Sequence, residues 1–62
     1  MSINYLKYTK EIEYDYNNLI DAIEDFEKIT SKENREEIIY RINELQKTIS
    51  KLKVTIKNIY LR

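Results

Sequence analysis

The chain contains no glycine, proline, cysteine, histidine or tryptophan in its 62 residues. Each absence removes a class of structure. Without cysteine there is no disulfide, and without cysteine or histidine a zinc or haem centre loses its usual ligands. Carboxylates can hold Ca²⁺ or Mg²⁺, but no D-x-D-x-D-G loop is present, and there is no glycine to make its turn. No cofactor and no metal site are expected. Tight β-hairpins and phosphate-cradling loops lean on glycine, and multi-turn folds are punctuated by glycine and proline. A chain with neither is most simply long helix with few breaks.

An excess of charge of one sign is lacking too, since 11 basic residues balance 11 acidic ones. Long hydrophobic runs are missing: nothing approaches the roughly 20 apolar residues that span a bilayer, and Met1 to Lys10 has no apolar signal-peptide segment. The expectation is a cytoplasmic protein with no membrane partner. Alanine occurs once, at Ala22, while Ile, Lys, Asn and Tyr abound. The favoured residues have AT-rich codons, which points to a low-GC bacterium, its phage or another mobile element, and to the host cytoplasm if phage-encoded.

What is present is a heptad rhythm in two runs. The first reads Tyr5, Thr9, Ile12, Tyr16, Leu19, Ile23, Phe26, and the second Ile38, Ile42, Leu45, Ile49, Leu52, Ile56, Ile59. Steps of four and three keep one seam of a helix turned toward a partner helix. With Thr9 and Ile42 at position a and Ile12 and Ile38 at position d, these rows are the expected core.

Between the runs, Thr30 to Glu37 holds no large apolar side chain. A single rod would be about 90 Å long, but continuing the first heptad puts Glu33 and Glu37 in the seam, which argues for a break. Thr30-Ser31-Lys32-Glu33 fits a capping box, with Thr30 as N-cap, and Asn34-Arg35-Glu36-Glu37 fits the pattern as well, one turn further on. The expected fold class is therefore all-α, a single domain spanning 1–62 built as an antiparallel, coiled-coil-like two-helix hairpin. Its first helix is expected at about 3–29, its turn at about 30–32 and its second helix at about 32–61. Reflection about the point between Thr30 and Ser31 pairs Ile23 with Ile38, Leu19 with Ile42, Tyr16 with Leu45 and Ile12 with Ile49. A centre at Asn34, with a longer loop, also matches layers.

A domain this small buries only about 60% of its unfolded surface and usually requires a staple. With disulfides and metals excluded, self-association remains. The e flank is the more apolar one, so Leu6, Ile20, Ile39 and Tyr60 are the expected self-association residues, two hairpins forming a four-helix bundle. Seven acidic residues and no basic one lie between Glu11 and Glu27, whereas only basic charges follow Lys47. The hairpin is thus a dipolar rod, for which an antiparallel dimer sets opposite charges together.

No catalytic constellation is visible, and exposed helices offer no closed pocket to shift a pKa usefully. The chain is expected to be no enzyme but a protein–protein interaction module, a small regulator or inhibitor of an unidentified partner protein. Tyr14 and Tyr40 at f positions, with Asp21, Glu24 and Asp25, are its candidate partner-binding residues. The alternative is a small RNA- or DNA-binding regulator built as a dimer of hairpins, using Lys7, Lys10, Lys53, Lys57, Arg62 and Tyr8. Balanced charge speaks against it, because nucleic-acid domains usually carry a basic excess. A structural subunit of an assembly is the third reading.

Overall fold

The computed structural model describes residues 5–59 as two long helices, α1 (Leu6–Lys28) and α2 (Lys32–Lys57), lying side by side. The particle measures 52 × 15 × 12 Å, much shorter than the 90 Å of a continuous rod. The chain is an all-α helical hairpin with no strand among the described residues. Helix content expected at residues 3, 4, 60 and 61 lies outside the described residues. Within them, α2 ends at Lys57, and Asn58 and Ile59 follow without helical assignment.

The corner shows how a chain without glycine turns. Helices often end on a left-handed residue, usually glycine, but no described residue has positive φ. Instead Ile29 (φ −133°, ψ 101°) and Ser31 (φ −127°, ψ 163°) are extended, a region that β-branched and polar residues enter without strain. The N-cap is Ser31 and not Thr30. Ser31 Oγ accepts from the Asn34 backbone N–H at 3.1 Å, while the Thr30 hydroxyl turns back and donates to the Phe26 carbonyl at 3.1 Å. The Asn34 side chain then closes the corner, its Nδ2 donating to the Ile29 carbonyl at 2.8 Å and to the Asp25 carbonyl at 3.3 Å. One asparagine therefore satisfies carbonyls at the end of α1 while its own N–H is capped at the start of α2.

The helices do not meet along the expected a and d rows. The d row is inside, with Ile12, Leu19, Phe26, Ile38, Leu45 and Leu52 all half-buried. Its companion is the g row, in which Ala22 is 3% exposed and Thr48 7%, the two buried residues among those described. The a row lies out: Tyr16 is 52% exposed, Ile49 44% and Ile56 49%, and Ile23 and Ile42 are exposed as well. The register differs accordingly. Cross-hairpin hydrogen bonds join Thr48 to Asp15, Thr55 to Tyr8 and Asn34 to Ile29, pairs that each sum to 63. The centre of the hairpin thus falls between Ser31 and Lys32, one residue beyond the expected point, and the layers Leu19–Ile42 and Ile12–Ile49 do not form the seam.

Side-chain size explains the rotation. A pair of helices buries a narrow stripe, and d is common to both choices, so a and g compete for the second row. Ala22, Thr48 and Thr55 are small and let the backbones approach, whereas Tyr16, Ile23, Ile42 and Ile49 would hold them apart. The g row also carries hydrogen-bonding groups that find each other across the seam. Thr48 Oγ1 donates to Asp15 Oδ2 at 2.5 Å, and Thr55 Oγ1 donates to Tyr8 Oη at 3.4 Å. No buried polar side-chain atom among the described residues is left without a partner. Arg41, half-buried in the same row, is held by Glu37 Oε1 at 2.8 Å and stacks its guanidinium 5.2 Å from the Tyr40 ring centre.

Candidate functional site

Rotation of the seam toward g leaves one broad side of the hairpin uncovered, its large apolar residues interspersed with Glu13, Glu27, Arg35, Gln46 and Lys53. In an antiparallel pair, equivalent heptad positions of both helices project to the same side. The a and e rows of α1 and α2 therefore form a single surface. Tyr16 and Ile23 from α1 lie on it with Ile39, Ile42, Ile49 and Ile56 from α2, each more than a third exposed. Of the expected self-association residues, Leu6 and Ile39 are exposed on this side and Ile20 is half-buried along it. Tyr60 lies outside the described residues.

The area involved is large for the chain. The protein exposes 5500 Å². A compact monomer of its 7.6 kDa is expected to expose about 4,300 Å², so the surplus is about 1,200 Å². That surplus reflects the elongated shape of the hairpin, and large apolar side chains exposed along it, such as Tyr16, Ile42, Ile49 and Ile56, are of the kind that mark a contact site.

The opposite side, formed by the c and f rows, is polar. Tyr14 and Tyr40 stand out from it, and Asp21, Glu24 and Asp25 are exposed. Tyr14 and the three carboxylates sit on α1 and Tyr40 on α2, where the register of the hairpin sets Tyr40 level with Ile23, between Asp21 and Asp25. An open groove of about 950 Å³ runs along α2 beside Tyr8, with Tyr40, Glu44, Lys47, Lys51 and Val54 on its walls. Within it, Lys47 Nζ lies 3.1 Å from Glu44 Oε2, and the Tyr40 hydroxyl donates to Glu44 Oε1 at 3.3 Å. The Lys47 hydrogen bond and charge hold the Glu44 carboxyl below the usual carboxylate range, with smaller help from Tyr40 and Arg41 against a slight desolvation. The group is about one third exposed, and its shift reflects an ion pair at the surface.

The basic set is scattered by comparison. Lys7, Lys10, Lys53 and Lys57 are exposed, and Arg62 lies outside the described residues. Tyr8 is half-buried at the seam, holding the Thr55 hydroxyl, and Lys7 Nζ sits 5.6 Å from its ring centre. Its ring is thus part of the hairpin contact and no open stacking platform. Around the neighbouring hollow, Lys10 and Lys51 alternate with Glu11 and Asp15, so the local field is mixed. Among the described residues no three carboxylates converge on a point where a metal ion would sit. No described helix is long and apolar enough to cross a membrane.

The g row is what reasoning from the sequence underrated. Asp15, Ala22, Thr48 and Thr55 looked like a poorly apolar flank. Their signal was small or hydroxyl-bearing residues at seven-residue spacing, a pattern that permits close approach. Comparison with protein-family models, curated proteins and solved structures finds no match for this chain.

Proposed function

We propose that the protein is a non-enzymatic interaction module that works as a homodimer, two hairpins closing their a and e faces on each other to form a four-helix bundle. The observation supporting this is the uncovered row of Tyr16, Ile23, Ile42, Ile49 and Ile56 beside a surplus of about 1,200 Å² of surface. A stable interface removes about 800 Å² or more from each partner, so one such contact accounts for most of the surplus. A second copy brings a face of the same length and chemistry. The d rows, already turned inward, and the a rows would then surround one core, with g–g contacts inside each hairpin and e-row contacts between them.

The assembled bundle leaves its c and f sides outward. On our reading these sides, with Tyr14, Tyr40, Asp21 and Asp25, meet a partner protein in the cytoplasm of a low-GC bacterium, where the module acts as a small phage- or mobile-element-encoded regulator or inhibitor, while Glu24 stands in the b row at the rim of the dimer face. Exposed tyrosines are the residue type most suited to such anchoring.

Sedimentation at micromolar concentration tests the assembly. The wild-type chain should have the mass of a dimer. Ile42→Glu with Ile49→Glu should lower it to that of a monomer, with helix content retained, because both side chains point away from the hairpin seam. A wild-type chain that is folded and monomeric overturns the proposal. Salt-dependent binding of labelled RNA or DNA, lost on Lys53→Glu with Lys57→Glu, would replace it with the nucleic-acid reading.

A further inference from the structure

We infer that the two copies lie in opposite directions, the turn of one over the open end of the other, with the two-fold axis crossing both helices at the level of Asn17 and Gln46. This rests on the homodimer proposed above and specifies how its face is used. Charges along the b rows, at the rim of the apolar face, carry the inference. Lys10 and Lys57 stand near the open end, and Glu24 and Glu36 toward the turn, all exposed; Glu36 also faces Arg35 at 3.6 Å. Residues summing to 63 are level in the hairpin, so Asn17 and Gln46 share one height.

A two-fold axis at that height brings Lys10 level with Glu24 of the second copy, since they lie seven residues to either side of Asn17. The same axis brings Lys57, eleven residues beyond Gln46, level with the Arg35–Glu36 ion pair of the second copy, eleven and ten residues before it, so attraction and repulsion at that level nearly cancel. It also sets Ile42 against Ile49 of the second copy and Tyr16 beside its own counterpart. One axis level thus serves the Lys10–Glu24 match of α1 and the apolar layers of both helices, although each helix has its own sequence. It also lies near the midpoint of α1 and α2, so the whole length of the face is covered.

Stacking in the same direction gives the opposite result. That arrangement puts α1 over α2 of the second copy at the same height, with Lys10 level with Lys53 and Glu27 level with Glu36. Glu27 then has Arg35 about 1.5 Å away along the axis and Glu13 has Lys53 about 4.5 Å away, so the like-charge cost of this arrangement falls on Lys10 against Lys53. Rim charges at such positions choose between arrangements, because like-charge juxtaposition opposes the wrong one.

The absence of cysteine makes the test clean, because every disulfide will come from an introduced residue. Gln46→Cys places one thiol of each copy beside the axis and should yield covalent dimer on mild oxidation. A mixture of Glu27→Cys chains and Glu36→Cys chains should not, since those positions stand roughly 30 Å apart in the opposed arrangement but level in the other. The reverse pattern at dimer mass overturns the arrangement while leaving the homodimer intact. A monomeric mass by sedimentation overturns both. Charge reversal supplies a second readout. Lys10→Glu should weaken dimerisation about threefold to tenfold, and adding Glu24→Lys should restore it. Tightening by Lys10→Glu alone contradicts the opposed arrangement.

Discussion

Ala22→Leu separates the observed seam from the one that the heptads suggest. Ala22, 3% exposed, is the only buried apolar residue among those described, and it lies in the g row. On an a/d seam it would sit on a flank, with room for a larger residue. Leucine and alanine are both strong helix formers, differing by only about 0.2 kcal/mol, so the helix itself is indifferent to the change. Forcing the extra atoms into a close contact should instead cost about 1–3 kcal/mol. For a domain of this size each kcal/mol moves Tm by about 4–8 °C, which is well resolved by thermal unfolding followed by circular dichroism. Measuring wild type and variant at matched concentrations across a wide range removes the contribution of assembly. A change below about 0.5 kcal/mol, within the range for an ordinary surface substitution, would refute the claim that the g row forms the seam.

Thr48→Val keeps the shape of the side chain but removes the donor to Asp15; it should cost about 1–3 kcal/mol. A double-mutant cycle with Asp15→Asn in urea unfolding should show that the two effects are not additive. At the corner, Ser31→Ala should destabilise by about 0.5–2 kcal/mol. Thr30→Ala should cost clearly less, because its hydroxyl only returns to the Phe26 carbonyl. Equal losses at the two positions would contradict the assignment of Ser31 as the cap. Glu44 should titrate below the usual carboxylate range by NMR, and Lys47→Ala should raise its midpoint. Because the folded pKa is depressed, the contribution of this pair is present above the unfolded value of about 4.3. It is lost as pH falls through the folded one. A midpoint unmoved by Lys47→Ala would contradict the ion pair as its cause.

Two helices and one break were legible in the residues alone, because their causes are local. The missing glycine and proline, the four-and-three spacing and the polar stretch from Thr30 to Glu37 act within a turn or two of chain. The cap was legible to within a turn, Thr30 and Asn34 both fitting the pattern. Thr30 and Ser31 carry the same chemistry, and the choice between them depends on Asn34 reaching back to Ile29 and Asp25, a contact across the corner. The apolar character of the e flank was visible too, at Leu6, Ile20 and Ile39, but its extent was not. Heptad spacing locates a stripe wider than two packed helices can cover, and it does not say which edge of that stripe goes inside. That choice was made by the volumes that meet across the seam, with Ala22, Thr48 and Thr55 admitting a close approach that Tyr16, Ile23, Ile42 and Ile49 would prevent. It was reinforced by the pairing of Asp15 with Thr48 and Tyr8 with Thr55, residues 33 and 47 positions apart in the chain. Only in the folded hairpin do such partners exist, so only there does the a row become an outward surface.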